Sequence, residues 1–216
     1  MMFAVVTAVC AQAQLFVGGS LGVDFTASKE VEGSTTEKGP ATFFIEFSPM
    51  VGFSLSDNFA VGLKAGLGLL NSNNRADEPT KAKVTLWEFA PFARYTLVSA
   101  GDVSLLAEAT LGIQGATTKD TRGSTTNEGP SVFGFGFSAM PILSYSFTDK
   151  LSIEARPNLF RFVFGVVTTK YPGDSDNKDT DTYLGFGVNP SRVPIEFRSE
   201  FEFDTPLFEV GMIFKF

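Results

Sequence analysis

The chain has no histidine and one cysteine among its 216 residues. Without histidine, the commonest general base, zinc ligand and triad member is gone. No other residue stands out as a nucleophile paired with a base, so neither an enzyme nor a cofactor is expected. The lone Cys10 leaves no disulfide to form within the chain. Long apolar runs are missing as well. Mean hydropathy is only +0.12, and no stretch approaches the ~20 apolar residues of a spanning helix. Basic charge is short, with 17 Lys and Arg against 24 Asp and Glu, a net charge of −7 and a pI near 4.7. That balance excludes a nucleic-acid partner, which calls for a basic stripe. Tryptophan and tyrosine are scarce, at one and four. Phenylalanine is abundant at 24, beside 21 glycines.

Those phenylalanines alternate. In the last eleven residues Phe208, Val210, Met212, Phe214 and Phe216 fall on one face of an extended strand. Leu207, Glu209, Gly211, Ile213 and Lys215 fall on the other. A period of two is a strand signal. The bulky aromatic face opposes one of small residues and charges. A soluble sandwich, or a lipocalin-like binder, would turn the bulky face into a core. A transmembrane barrel turns it to lipid and keeps the mixed face inside.

The same pattern recurs upstream. Residues 14–26 set Leu15, Val17, Leu21, Val23 and Phe25 against Phe16, Gly18, Ser20 and Gly22. Residues 42–55 set Phe43, Ile45, Phe47, Val51 and Phe53 against Glu46, Ser48 and Gly52. Leu63, Leu67 and Leu69 oppose Lys64 and Gly66; Trp87, Phe89 and Tyr95 oppose Glu88 and Arg94. Leu105, Leu111 and Ile113 oppose Glu108 and Thr110, and Phe133 to Phe147 form one apolar face. In the seventh strand Leu151, Ile153 and Ala155 oppose Glu154 and Arg156. Near Leu159 the parity flips to Phe160, Phe162 and Phe164, which a bulge would explain.

Connections alternate in length. Polar stretches at 27–40, 71–83, 116–130 and from 168 onward read as long loops. Ser56-Asp57-Asn58, residues 99–102 and Thr148-Asp149-Lys150 read as tight turns. Long loops on one side and tight turns on the other is the arrangement of an outer-membrane barrel. A repeat underlies it. Gly33-Ser34-Thr35-Thr36, Gly39-Pro40, Phe43, Phe47-Ser48 and Met50 reappear 90 residues later, from Gly123 to Met140. Two four-stranded halves would close eight strands. Residues 183–188 and 195–203 would make ten if both are strands. Pro49, Pro91, Pro141 and Pro157 lie on outward faces and read as local bulges, since proline removes a ladder donor.

At the amino terminus, Met1 to Val9 is apolar and Ala11-Gln12-Ala13 has the small residues of a signal-peptidase site. The expected division is a signal peptide over 1–13, cleaved after Ala13, and a barrel domain over 14–216.

Together the signal-like start, the alternating strands and the terminal strand Val210 to Phe216 resemble the small porin-like outer-membrane β-barrels of Gram-negative bacteria, of the OmpX and OmpA-transmembrane type. The resemblance implies an all-β, antiparallel up-and-down transmembrane barrel of eight strands, or ten, monomeric and set in the outer membrane among lipid and lipopolysaccharide. It also implies that Phe214 and Phe216 belong to a terminal signal read by the barrel-insertion machinery. Proteases and deacylases built on such barrels use histidine, which this chain lacks.

The inward faces supply Glu46, Lys64, Glu88, Arg94, Glu108, Glu154, Arg156, Glu209 and Lys215. Opposite charges on neighbouring strands should pair into a network filling the lumen, which in an eight-stranded barrel is only wide enough for side chains. A narrow ion or solute channel and a ligand pocket are the alternatives. In the loops, Asp174, Asp176, Asp179 and Asp181 alternate as calcium ligands do, without the glycine and distal glutamate of a calcium loop. Exposed loops of this kind also suit adhesion to a host or envelope partner.

Overall fold

The computed structural model describes residues 14–32, 35–74, 80–157, 160–173, 178–187 and 208–216. All the secondary structure described is β. Six long strands follow the chain as a meander: β1 (Gln14–Glu32), β2 (Thr35–Ser54), β3 (Phe59–Asn74), β4 (Thr80–Ala100), β5 (Val103–Arg122) and β6 (Thr125–Ser146). Four shorter ones complete the fold: β7 (Leu151–Pro157), β8 (Arg161–Lys170), β9 (Lys178–Gly187) and β10 (Phe208–Lys215). Each of β1 to β6 pairs antiparallel with the next. β6 continues onto β7, β7 onto β10, and β10 back onto β1 through Phe16↔Lys215 to Gly22↔Glu209. The result is a closed ring of eight strands. Higher on the wall β8 takes over the flank of β6, and β9 pairs with β8. The count is therefore eight in the ring with two further strands above; residues 195–203 lie outside the described residues.

The passage from β7 to β8 explains the parity flip. Between the pairs Leu143↔Ala155 and Ala139↔Phe162, the chain advances three residues in β6 (140–142) and six in sequence on the other side (156–161). Phe160 adopts φ 57° there, in the left-handed region. Its side chain stays on the outer face and Arg161 turns inward, buried.

The polar stretches expected as loops are mostly ladder. β1 and β2 stay paired to Glu32↔Thr35, β3 and β4 to Asn74↔Thr80, and β5 and β6 to Arg122↔Thr125 around Gly123. An apolar face of period two marks a strand whose outer side meets an apolar medium. The outward residues here are threonine and lysine (Thr117, Lys119, Lys81, Lys83), with the β5–β6 tip exposed on both faces over 122–128. Threonines and backbone bonds suffice for pairing without an apolar face. The tight turns sit where expected. Leu55 N–H donates to Phe59 O at 2.8 Å, and Phe147 N–H to Leu151 O at 2.9 Å. Both ends of the wall meet at this rim, where Phe216 N–H donates to Leu15 O.

Three of the four prolines are not bulges, while Pro157, paired with Phe208, sits within the excursion between β7 and β8. No register shift occurs at Pro49, Pro91 or Pro141; the shifts lie at Ala27/Lys29, Thr96/Val98 and Thr117/Lys119. Pro49 pairs with Gly19 on one side while the β3 ladder skips from Phe47↔Leu67 to Met50↔Lys64 on the other. A strand residue directs its single N–H to one neighbour only, so proline interrupts one ladder and leaves the other intact. Two of the true bulges are themselves 90 residues apart, and the pairings beyond them (Lys29↔Lys38, Lys119↔Glu128) keep that offset. The repeat thus extends from the sequence to the register.

Outward and inward faces divide as the alternation requires. Phe25, Phe47, Leu67, Phe89, Leu111, Phe133, Val210 and Met212 are exposed on the outer wall, Phe25 at 69% and Leu67 at 62%. Lys64, Arg94, Glu108, Glu154, Arg156 and Glu209 are buried within. Apolar out and charged in is the inverse of a soluble core and the pattern of a transmembrane barrel.

Candidate functional site

The lumen gathers what the strands turn inward. At its centre six charged side chains, each 1–5% exposed, come from five strands: Lys64 (β3), Arg94 (β4), Glu108 (β5), Glu154 and Arg156 (β7), and Glu209 (β10). Glu108 receives three cations, Arg94 Nε at 2.7 Å, Lys64 Nζ at 3.3 Å and Arg156 Nη1 at 3.6 Å. Arg94 also reaches Glu154 at 2.9 Å, and Arg156 Nη2 meets the other oxygen of Glu154 at 2.9 Å. Glu209 accepts a hydrogen bond from Ser20 of β1 at 3.2 Å. Met50 of β2 places its thioether sulfur 2.9 Å from Arg94 Nη2. Three cations face three carboxylates, so the cluster is neutral. Together with Ser20 and Met50 it draws on seven of the eight ring strands. Such charges tolerate burial because each finds opposite charge and hydrogen bonds at once.

Strand geometry accounts for these contacts. Arg94 and Glu108 are direct cross-strand partners. On the next strand over, Met50 lies opposite Lys64. Glycines opposite the outer leucines (Gly62, Gly66, Gly68) keep the β3 wall thin, which leaves the space that Phe92, Glu88 and Phe44 occupy. The guanidinium of Arg94 lies 4.8 Å from the Phe92 ring centroid and 5.7 Å from that of Phe16, a cation–π arrangement.

Below the network, Phe16, Met50, Phe92 and Ile213 pack together. Beneath them a cavity of about 170 Å³ opens among Ser54, Ser99, Ser104, Ser144, Ser146 and Ser152 at the tight-turn rim. Lys215 lines this vestibule and stands apart from the central cluster. Above the network Glu46 accepts from Ser48 at 3.2 Å. Glu88 borders a gap of about 20 Å³ with Gln114, Arg161 and Tyr183, room for one water. Tyr183 crosses the interior over Gly136 and Gly165, where any β-carbon would strike its hydroxyl, and accepts from Gln114 Nε2 at 3.2 Å. Higher still, Phe44, Leu70, Val84, Ala116, Val132 and Val167 form a dry layer, with Leu86 and Tyr183 against it.

The sequence reading assigned none of Arg161, Tyr183, Met50 or this apolar layer to the lumen. Its signal was present in the doublets Phe43-Phe44, Leu69-Leu70, Val132-Phe133 and Val166-Val167. Where both faces are apolar at one level, the inside is dry as well as the outside. Of the acidic loop, Asp179 and Asp181 lie on β9, exposed, opposite Thr169 and Val167; Asp174 and Asp176 lie outside the described residues, as do residues 1–13. Among the described residues no group of three or more His, Cys, Asp or Glu is placed to hold a metal. At the carboxyl end Phe214 and Phe216 both point outward, their rings edge to face at 5.1 Å.

The class defined by this geometry is a closed antiparallel barrel with a lipid-type exterior. No family model and no curated protein matches the chain. Among solved structures it is similar to the outer membrane protein OprG from Pseudomonas aeruginosa, at 12% identity over 94% of this chain and 95% of that one, TM-score 0.45. A major outer membrane protein from Thermus thermophilus is also similar, at 12% identity over 95% and 100%, TM-score 0.49. So is Ail, the attachment invasion locus protein of Yersinia pestis, at 12% over 94% and 97%, TM-score 0.38. With scores of this size, the fold assignment rests on the strand register given above.

Proposed function

We propose that the chain is an integral, monomeric protein of a bacterial outer membrane, with a structural, porin-like role and a lumen closed by its own ion pairs. The wide outward band of phenylalanine, leucine and valine supports the membrane setting, because water would not tolerate so large a contiguous apolar surface. The observation that carries the closed lumen is Arg94, which holds Glu108 on one side and Glu154 three strands away on the other. An ion entering would have to break these contacts and then cross the dry layer around Leu70 and Val167. The reading assigns the chain no catalytic step. Single-channel recording of refolded protein in planar bilayers tests it. No steady conductance is expected; stable steps that change with Arg94→Ala would replace the closed barrel by a narrow channel.

Phe214 and Phe216 support recognition of the last strand by the barrel-insertion machinery, since both rings are presented outward. Removing Phe216 should slow insertion into vesicles carrying that machinery. The hairpins favour a second role, binding a host or envelope partner. They remain paired up to their turns, so they offer an ordered surface. Unchanged adhesion after shortening the β5–β6 hairpin would remove that role.

A further inference from the structure

Although the protein is acidic overall, its outer face carries a band of lysine just above the apolar wall. Lys81 and Lys83 on β4, Lys119 on β5, Lys170 on β8 and Lys178 on β9 are all exposed. Their positions place them on the outer face. Lys83 and Lys81 continue the outward series of Trp87, and Lys119 lies directly opposite Lys83. Lys170 lies opposite Ser131, one outward row above Phe133, and Lys178 opposite Lys170. The acids of the same level are turned the other way. Asp120 alternates inward on β5, and Asp179 and Asp181 oppose the inward Thr169 and Val167. Glu128, opposite Lys119, is the one outward acid among the described residues of this band.

Two cross-strand pairs, Lys83↔Lys119 and Lys170↔Lys178, set like charges directly against each other. Such pairs are destabilising in water, and none of the five lysines has an ion-pair partner among the described residues. Lys83↔Lys119 sits two outward rows, and Lys170↔Lys178 one, above the Trp87–Phe133 ring contact of 6.1 Å, with Lys81 a row higher. A row is roughly 7 Å along a strand, and less along the normal of a tilted one. Tryptophan belongs at the water interface of a bilayer, so the lysines stand at the level of the headgroups.

We propose that this band binds the phosphates of anionic lipids in the leaflet on the hairpin side, with β4, β5, β6, β8 and β9 as the preferred lipid-contact face. A phosphate between Lys83 and Lys119, or between Lys170 and Lys178, turns a repulsive pair into a bridged one. The inference rests on the membrane setting proposed above.

Trp87, the sole tryptophan, lies directly under the band and reports the lipids beside it. The refolded protein is placed in vesicles of phosphatidylcholine and phosphatidylglycerol, with bromine on the chains of one lipid or the other. Brominated phosphatidylglycerol should quench Trp87 more strongly at equal mole fraction. The preference should amount to roughly five-fold in relative affinity per engaged lysine, and it should shrink as salt rises. Lys83→Gln with Lys119→Gln should reduce it, with folding checked by heat-modifiable gel mobility. Equal quenching by the two lipids, or a preference indifferent to salt and to both substitutions, overturns the lysine band and leaves the membrane barrel standing. No quenching by either lipid overturns both.

Discussion

The lower and upper halves of the long strands share one hydrogen-bonded ladder and face different surroundings. Around the tight turns the wall separates an apolar exterior from a charged lumen, and side chains alternate sharply, as in Leu63-Lys64 or Tyr95-Arg94. Beyond Trp87 and Phe133 the same strands run on as hairpins, with threonine and lysine on exposed faces. The strand itself is indifferent to alternation. What alternates is the boundary between two media, and where the boundary ends the pattern ends while the ladder continues.

Substitutions should therefore cost much in the lower half and little in the upper. The largest loss is expected from Glu108→Ala, which strips Lys64, Arg94 and Arg156 of a shared partner. A buried charge left unpaired costs about 3–5 kcal/mol, measurable by urea unfolding in vesicles. Next comes a charge on the outer wall. Ala109→Arg, near the middle of the belt on β5, should cost about 2–4 kcal/mol. On the same face and strand, Thr117→Arg, above the belt, should stay within about 0.5 kcal/mol. Equal costs at the two positions would erase the division between the halves. Gly115 marks the border, since the Trp87 ring lies over it, 2.6 Å from where a β-carbon would stand. Gly115→Val should displace the ring at about 1–3 kcal/mol and shift its emission. The smallest effect is expected for Thr121→Ala, which loses the exposed 3.0 Å contact with Thr126 and should change stability by less than about 0.5 kcal/mol.

The division also sets what could be read from the sequence. Glu108, Arg94 and Arg156 were legible because each interrupts an apolar series at strict period two. The hairpins were not, because their outward residues are threonine and lysine, which leaves no apolar face of period two to read. Arg161 was legible as well, since the flip to outward Phe160, Phe162 and Phe164 leaves it facing inward. Phe44 and Leu70 were hidden beside outward Phe43 and Leu69, since a doublet gives no contrast. The prolines misled for a different reason. Counting one lost donor per proline is right, but the loss falls on a single ladder and needs no extra residue. Sequence pattern also cannot tell which opposite charges meet, because Arg94 chooses Glu154 across the lumen as well as its neighbour Glu108.

The orientation of β5 is the most direct test, read by spin labels placed singly at Leu105, Ala107, Ala109, Leu111 and Ile113 in refolded protein with Cys10 replaced. Labels at all five should relax strongly with oxygen, which concentrates in hydrocarbon, and weakly with a water-soluble nickel chelate. Strong relaxation by the nickel chelate along the whole series would put that face in water and contradict the inverted barrel.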